Sequence, residues 1–363
     1  MRILHIAPQN ISDVPMKLVR AERELGHESR LITFFADPRG YPEDVCLHLP
    51  FVQERWIRRL KARVAAEERL RITHRKKVTH EKPPVWSPSG SLERLLIWFR
   101  ERLWQPKIRR VMKQIGFWDF DVYQFDAGLD FFRDGRIARA IKSRGKPLIV
   151  TYTGSDLRTR GIIRPVDDLA DVRITFEWDH LELHPRVHHV LFPFEPETFP
   201  FKIREPGAQI KIGHAPTNRA AKGSDLILAV LKEIQHSHPV EIVLIENKPY
   251  QEALKLKDQC DLFIDQLGDL GYGLNALEAV AMGIPTCTSL VPAFQRAYPD
   301  HPFVKVDEHD LKEQLLALMK APEWRRELAV KGRKWVETHH DSRRVVERIH
   351  ALAGIVSDTV AVK

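Results

Sequence analysis

Two cations stand beside a glycine and a serine at Arg219, Lys222, Gly223 and Ser224. They follow an apolar stretch typical of a buried strand and precede a helical pattern that extends to Ser237. A planar guanidinium, a mobile ammonium and a helix N-terminus can together hold a diphosphate. No paired-aspartate motif accompanies them, so we expect the cations to stabilise the phosphates without a metal ion or other cofactor.

A glycine-rich turn within residues 261–285 is the second chemical feature. An apolar run at residues 262–264 is followed by three glycines, Gly268, Gly271 and Gly273. A helical pattern then begins near residue 274 and contains Glu278. Such a turn presents backbone amides to a phosphorylated ligand at the carboxyl end of a strand. Tight packing between strand and helix explains the glycines equally well.

Polar residues also follow a strongly apolar strand at residues 147–152. The turn reads Thr153-Gly-Ser-Asp-Leu-Arg158, in which Ser155 and Asp156 either cap a helix or face a cleft. The loop after the first strand offers Asn10 and Ser12 but contains no glycine. That loop is therefore a poor phosphate cradle, although it can line a cleft.

These features lie on strands that alternate with helices along the 363 residues. Prolines crowd residues 193–206 and mark a connector. We therefore predict an α/β chain with two Rossmann-like, doubly wound domains that face a cleft. The predicted domains are residues 1–200 and 201–340, and the predicted C-terminal helix and tail, 341–363, cross back to the first domain.

Composition narrows the class of protein further. Hydrophobic residues make up 43% and aromatic residues 9% of the chain, which is typical of soluble globular proteins. The three cysteines are scattered, and the histidines at 180, 184, 188 and 189 match no zinc-binding spacing, so we interpret them as surface or packing residues. The sequence opens directly on a strand, so we expect no signal peptide and a cytoplasmic location.

Positive charge is concentrated in residues 54–113. This segment carries 18 Lys or Arg and 6 Asp or Glu, an excess of 12 positive charges against a net +8 for the whole chain. Its helical patterns carry aromatic residues, which suits an anionic membrane surface such as the inner face of the plasma membrane. The alternative is a pair of core-packing helices with a solvated basic face. No nucleic-acid recognition motif accompanies the charge, so we expect no nucleic-acid partner.

Two stretches together resemble a known family. Residues 214–223 read His-Ala-Pro-Thr-Asn-Arg-Ala-Ala-Lys-Gly, and residues 271–285 read Gly-Tyr-Gly-Leu-Asn-Ala-Leu-Glu-Ala-Val-Ala-Met-Gly-Ile-Pro. They look like the donor half of a GT-B glycosyltransferase. The similarity is to the large retaining family often called family four or group one, which uses nucleotide-diphosphate sugars. It is most specific over residues 209–290, and the turn at 153–158 resembles the family's inner-cleft turn.

The resemblance implies a role for each matching residue. Arg219 and Lys222 would bind the donor diphosphate, Glu278 would accept hydrogen bonds from the ribose, and Asp156 would be a polar inner-cleft contact. The remaining donor-side residues would be Glu246, Asn247, Asp265, Gly271, Tyr272 and Gly273. The acceptor-side residues would be Asn10, Thr153 and Arg158.

The sequence departs from the family pattern at three places. Leu270 stands where the family has its first glutamate, Thr153 stands where it has a histidine, and the glycine-rich loop after the first strand is missing. The first hypothesis is a metal-independent retaining glycosyltransferase of the hexosyltransferase type, acting on a UDP- or GDP-sugar and a glycan or lipid-linked acceptor, as in cell-surface polysaccharide synthesis. The alternatives are a catalytically degenerate scaffold and a nucleotide-sugar epimerase.

Overall fold

The computed structural model describes residues 1–50, 83–268 and 271–355. The chain divides into two compact units. The first unit comprises Met1–Val190 together with the chain from Val346 onward, and the second unit is Leu191–Val345. The first helical pattern of the basic segment, which begins at Arg55, and the end of the predicted tail lie outside the described residues. The loop predicted over 76–88 is described only from residue 83 onward.

The first unit is built on a sheet of parallel strands. Its strands are β1 (Arg2–Ala7), β2 (Glu28–Thr33), β3 (Val45–Cys46), β4 (Val122–Asp126), β5 (Leu148–Tyr152), β6 (Val172–Thr175) and β7 (His188–His189). They are arranged in the order β3-β2-β1-β4-β5-β6-β7. Both β4 and β5 are buried along their whole length, and β5 is accordingly almost continuously apolar, whereas β4 also buries Gln124 and Asp126.

Helices of the first unit cover this sheet. They are α1 (Val14–Glu24), α2 (Ser91–Gln114), α3 (Arg136–Lys142), α4 (Arg164–Asp167) and α5 (His180–Leu183). The core includes the fully buried rings of Phe117, Phe120, Tyr123 and Phe125. Helix α2 continues through Pro106, which lies inside it.

The second unit contains a separate parallel sheet. Its strands are β8 (Ile210–His214), β9 (Val240–Leu244), β10 (Leu262–Ile264), β11 (Thr286–Thr288) and β12 (Val304–Lys305). Their order is β12-β11-β10-β8-β9. Strand β9 therefore lies on one side of β8, and β10, β11 and β12 follow one another on its other side. This order matches that of flavodoxin-like sheets, whereas the first unit follows the dinucleotide-binding order.

Helices complete the second unit and link it to the first. They are α6 (Arg219–Lys222), α7 (Ser224–Gln235), α8 (Tyr250–Asp258), α9 (Leu274–Ala281), α10 (Pro292–Ala297), α11 (Leu311–Lys320), α12 (Pro322–His339) and α13 (Ser342–Leu352). Helix α13 begins in the second unit and ends in the first, where His350 Nε2 lies 3.3 Å from Glu22 Oε1. Two doubly wound parallel sheets and a returning C-terminal helix confirm the predicted fold class.

The exposure of the apolar residues of α2 contradicts the interpretation of this helix as one that packs in the core. A core-packing helix would bury Leu92, Leu95, Leu96, Phe99 and Leu103, yet all five are exposed. The buried side of α2 consists instead of Glu101, Trp104 and Ile108. Within the three described ranges, no helix is both long enough and apolar enough to cross a bilayer.

Candidate functional site

The predicted diphosphate residues meet at the edge of the second sheet where its strand order reverses. Strand β8 pairs with β10 on one side and β9 on the other, so the loops after β8 and β10 leave the sheet side by side. In open α/β sheets, ligands bind at the carboxyl ends of the strands at this switch point. The loop after β8 carries Lys222, and the turn after β10 carries Asp265 and Gly273.

Asp265 connects the two loops. Its Oδ1 atom lies 2.5 Å from Lys222 Nζ, and its Oδ2 atom accepts a 2.9 Å hydrogen bond from the Gly273 amide. Asp265 is only 1% exposed, whereas the Lys222 side chain retains 13% of its surface. A primary ammonium has three N–H donors, so two N–H bonds of Lys222 remain for a ligand once Asp265 has accepted one.

Local sequence explains how Lys222 reaches this position. Asn218 caps α6 by accepting a 3.2 Å bond from the Ala221 amide, and Gly223 then turns the chain into α7 with a φ of +67°. A Cβ atom at Gly223 would be strained at that φ and would lie 3.1 Å from Leu267 Cβ. The Leu267 amide donates 3.1 Å to the Lys222 carbonyl, so the turn after β10 also holds the lysine backbone.

His214, at the end of β8, fixes the position of the same loop through hydrogen bonds to β10 and to the start of α7. Its Nδ1 atom donates to the Ile264 carbonyl at 2.8 Å, and its Nε2 atom accepts from the Ser224 hydroxyl at 2.8 Å. Burial lowers the pKa of His214, so the ring is neutral in this arrangement. The histidine therefore ties β8 to β10 and to the first residue of α7.

Arg219 and Glu246 form a separate pair nearer to solvent. Arg219 Nε and Nη2 donate to the two oxygens of Glu246 at 2.7 Å and 2.6 Å. The guanidinium is about half exposed, so water competes with this pair and it can open to admit a ligand. Asn247 follows Glu246 with a φ of +52°, a conformation that asparagine tolerates better than most residues.

Glu278 lies in α9 and is paired with a lysine that the sequence analysis did not identify. Its Oε2 atom accepts from Lys257 Nζ, and its Oε1 atom accepts from the Tyr250 hydroxyl at 3.1 Å. Lys257 also donates to Asn275 Oδ1 at 2.8 Å. Because Asn275 Nδ2 donates 3.1 Å to the Ala215 carbonyl, this network links Glu278 to the loop that carries the cations.

The glycine turn contributes its backbone. Gly271 has a φ of +79°, which favours glycine, and the Ala276 and Leu277 amides donate to the Gly273 carbonyl to begin α9. The amides of Leu274 and Asn275 come before these first intrahelical bonds, at the helix N-terminus, where backbone amides in general bind anions.

Tyr272 is part of the core. Its ring is 8% exposed and packs against Phe294, Phe303 and Trp335, while its hydroxyl lies 3.2 Å from His340 Nε2. The side chain is thus committed to packing. The donor-side role of Tyr272 stays a prediction, and the backbone of Tyr272 is the part that could fulfil it.

The turn at 153–158 of the first unit is organised by Asp156. The carboxylate accepts hydrogen bonds from the amides of Thr153, Gly154 and Leu157 at 2.8, 2.7 and 2.9 Å. Below the turn, the buried His180 donates from Nε2 to the Gly154 carbonyl at 3.0 Å and accepts at Nδ1 from Thr175. Burial lowers the pKa of His180, which agrees with a neutral ring.

Arg158 closes the same turn. Its guanidinium donates to both Asp179 oxygens at 2.7 Å and to Glu177 Oε2 at 2.7 Å. Burial opposes the charge, but the bonds to Asp179 and the charge of Glu177 outweigh it and raise the pKa of Arg158. The arginine is therefore a fixed cation whose position two carboxylates determine.

We expect Asp156→Ala to lower the free energy of unfolding by about 1–3 kcal/mol, because three backbone amides lose their acceptor. Chemical denaturation followed by circular dichroism measures the change. Ser155→Ala, at the exposed neighbouring position, is the control. Unchanged stability in Asp156→Ala would contradict a structural role for this carboxylate.

Asn10, a predicted acceptor-side residue, has its side chain engaged within the first unit. It is fully buried, and its amide group donates to Asp13 Oδ1 at 2.8 Å and to the Pro42 carbonyl at 2.7 Å. Its Oδ1 atom accepts from the Met16 amide. The amide group therefore joins its own loop, through Asp13, to the connection between β2 and β3, through Pro42. The acceptor-side role of Asn10 stays a prediction.

The structure thus arranges the predicted charged donor-side residues of the second unit in three groups. Lys222, Asp265 and Gly273 meet directly, Arg219 pairs with Glu246, and Glu278 is joined to the first loop through Lys257 and Asn275. Leu270 and Asp269 lie outside the described residues. Across residues 1–50, 83–268 and 271–355, no cluster of three or more His, Cys, Asp or Glu is arranged to hold a metal ion.

Sequence comparison gives no match to a protein family model or to a curated protein. Solved structures do share the architecture. HepE of Anabaena in complex with UDP and glucose is similar over 98% of this chain and 100% of its own, with 11% identity and a TM-score of 0.56. Sucrose-phosphate synthase of Thermosynechococcus elongatus is similar over 97% of this chain and 98% of its own, with 13% identity and a TM-score of 0.56.

A glycosyltransferase of Rickettsia africae is similar over 98% of this chain and 99% of its own, at 10% identity and a TM-score of 0.59. Each of these similarities therefore extends over both units of the chain. The chain has the GT-B fold, with one parallel α/β sheet in each unit. At these identities the similarity concerns the fold, and the chemistry must be argued from the site.

Proposed function

We propose that this protein transfers a sugar from a nucleotide-diphosphate donor to a glycan or lipid-linked acceptor. The observation that carries the proposal is the meeting of Lys222, Asp265 and the Gly273 turn at the switch point of the second sheet. HepE, which shares the fold, has been seen with UDP, with UDP and glucose, and with UDP-glucose. A UDP- or GDP-sugar is accordingly the proposed donor.

In this proposal Lys222 neutralises the leaving diphosphate, and the Leu274 and Asn275 amides bind its oxygens. Asp265 holds the ammonium in place before the donor arrives, so little side-chain entropy is lost on binding. Arg219 exchanges its exposed partner Glu246 for a phosphate, which frees Glu246 to face the nucleobase beside Asn247. The unused lone pairs of Glu278 accept from the ribose hydroxyls.

The proposed reaction retains the configuration of the transferred sugar. The bond between the anomeric carbon and the diphosphate oxygen breaks, and a bond to the acceptor oxygen forms on the same face. The acceptor proton passes to the departing phosphate oxygen, so no separate protein base is required. Fixed cations lower the barrier by stabilising the charge that accumulates on the diphosphate.

The turn at 153–158 is the proposed acceptor-side element. Asp156 and Arg158 hold its backbone rigid from within, and the exposed Ser155 and the half-buried Thr153 form its outer surface. A rigid turn suits positioning of an acceptor hydroxyl, because small displacements of reacting groups reduce rates steeply.

A thermal-shift panel of UDP, GDP and their sugars tests the donor site. We expect one nucleotide to stabilise the protein by about 3 kcal/mol at a hundredfold excess over its Kd. Lys222→Gln should weaken binding of that nucleotide about tenfold to a hundredfold, because it removes a charged hydrogen bond. Lys255→Gln, on the exposed side of α8, is the matched control. Absence of stabilisation by every nucleotide and nucleotide sugar would rule out the proposal.

A nucleotide-binding protein without transfer activity is the second candidate. Thr153, which stands where the resemblance places histidine, favours it. Incubation with the stabilising nucleotide sugar and a panel of glycan and lipid-linked acceptors separates the two. A glycosylated product with a retained anomer, read by NMR, supports transfer, whereas binding without any product supports the second candidate. Conversion of the sugar without an acceptor would instead indicate an epimerase.

A further inference from the structure

Helix α2 presents an apolar stripe to solvent on the side opposite to its packed face. Leu92, Leu95, Leu96, Phe99 and Leu103 recur at helical spacing and are between 44% and 69% exposed. The stripe extends for about 17 Å, since an α-helix rises about 1.5 Å per residue. Trp98 lies at its border, about half exposed, with the Arg102 guanidinium 5.0 Å from its ring centre. Contiguous apolar surface of this kind indicates an interaction site.

The same exposed face becomes cationic in the second half of the helix. Lys107, Arg110 and Lys113 continue the stripe beyond Leu103, and Arg109 lies beside them, all four exposed. None of the four forms an ion pair with a described residue. The two glutamates of α2 are occupied, because Glu93 accepts from Ser89 and Glu101 is buried against Arg133 and Arg136. The solvent-facing charge of α2 is therefore overwhelmingly positive.

A pocket opens beside this cationic half. Its volume is about 430 Å³, and Arg109, Lys113 and Arg136 line it together with the apolar side chains of Met112, Trp118 and Phe132. Cations beside apolar walls suit a molecule with an anionic group on a hydrocarbon body. Arg109 and Lys113 therefore belong both to the lining of this pocket and to the cationic half of α2.

We propose that this surface of α2 docks onto an anionic lipid membrane. Leucines and phenylalanine enter the boundary between headgroups and acyl chains, and Trp98 lies at the interface. Lysine and arginine side chains are long enough to reach lipid phosphates while the apolar stripe is buried. The proposal does not depend on the transfer reaction, although it would bring a lipid-linked acceptor close to the protein.

Charge decides between a membrane and a second copy of the chain. A symmetric dimer through this face would place the cationic halves of two copies in one interface, and α2 has no unengaged carboxylate to neutralise them, because both of its glutamates are occupied. Such like charges repel, whereas a membrane rich in phosphatidylglycerol supplies the opposite charge over the whole surface. We therefore commit to the membrane as the occupant.

Vesicle flotation of the full chain tests the proposal. Vesicles with about a third phosphatidylglycerol in phosphatidylcholine should bind the protein, and pure phosphatidylcholine vesicles should bind it far more weakly. Leu95→Ser with Phe99→Ser should reduce the partition coefficient about tenfold or more. Arg109→Gln, Arg110→Gln and Lys113→Gln together should reduce it by a similar factor, and added salt should reduce it in the parent protein.

Leu226→Ser with Val330→Ser is the matched control, because these apolar residues are exposed in the second unit. All variants should keep the parental circular dichroism and unfolding temperature, since the replaced side chains are solvent-exposed. Equal binding of the α2 variants and the parent would overturn the proposal. The proposal would also be overturned if the parent protein bound no vesicles and instead formed a concentration-dependent dimer. The Leu95→Ser and Phe99→Ser changes would then dissociate that dimer.

Discussion

Glu22→Gln should lower the free energy of unfolding by about 3 kcal/mol near pH 5.5, because it removes the carboxylate that contacts both of the buried histidines His5 and His350. Glu22 is 2% exposed, and its Oε2 atom lies 2.9 Å from His5 Nε2 and 2.6 Å from Ser29 Oγ. Its other oxygen lies 3.3 Å from His350 Nε2. The substitution keeps the shape of the side chain but leaves a buried charge on His5 without its main partner.

The effect of this substitution should depend on pH in a defined way. Burial alone would lower the pKa of His5, but the carboxylates of Glu22 and Asp126 outweigh it and raise the pKa to about 10. The stabilisation from His5 is therefore complete below its unfolded pKa of about 6.5 and is lost as the pH rises toward 10. His5 and His350 outweigh the effect of burial on Glu22 and depress its pKa, so its contribution is present above about pH 4.3 and lost in acid.

Urea denaturation of the parent and of Glu22→Gln between about pH 4 and pH 9 measures this dependence. The difference between the two proteins should be largest from about pH 4.5 to 6.5 and should shrink on either side. Glu24→Gln, at an exposed position two residues away on α1, is the control. A difference that does not vary with pH would contradict a charged His5–Glu22 pair.

Lys257→Met should destabilise the protein by about 3–5 kcal/mol, because Glu278 would lose its cation inside the second unit. Lys257 is 1% exposed and Glu278 9% exposed, so water cannot replace the missing ammonium fully. Adding Glu278→Met should restore most of the stability, since a buried ion pair and an apolar pair of similar volume are often of comparable stability. Lys255→Met, on the exposed side of α8, should change stability by less than about 0.5 kcal/mol.

Denaturation of the single and double variants gives the coupling between the two side chains. A double variant no more stable than Lys257→Met would show that Glu278 is not the partner that matters. The double variant also separates structure from ligand binding. If it is stable but has lost affinity for the nucleotide, Glu278 contributes to the donor site. If it is stable and binds normally, the ion pair serves only the packing of α9.

The backbone arrangement was largely accessible from the sequence, because buried parallel strands have a simple signature. The run at residues 3–7 is short and, apart from His5, apolar, and it forms most of β1, which spans Arg2–Ala7. The same holds for residues 262–264, which coincide with β10. Parallel strands bring the ends of neighbouring strands to one edge, so the proximity of Lys222 to the Gly273 turn followed from the alternation of strands and helices.

Side-chain partners were much less accessible. Lys257 lies between Leu256 and Asp258 in a polar helix, where a lysine is normally solvated, and its burial depends on Glu278 and Asn275 in a distant stretch. Tyr272 stands among glycines like a ligand-facing residue, yet the ring packs against Trp335 of α12. In α2, periodicity revealed an apolar stripe but could not tell whether that stripe packs inside the protein.

Helix α13 has a consequence for the synthesis of the chain. The second unit is one uninterrupted stretch, Leu191–Val345, so every residue that it needs has been translated before α13 is complete. The first unit is translated earlier but receives His350 for its Glu22 cluster only when the ribosome has passed α13. The part of the protein that is made first is therefore the part that is finished last, and truncation after Val345 would leave that buried cluster without one of its two histidines.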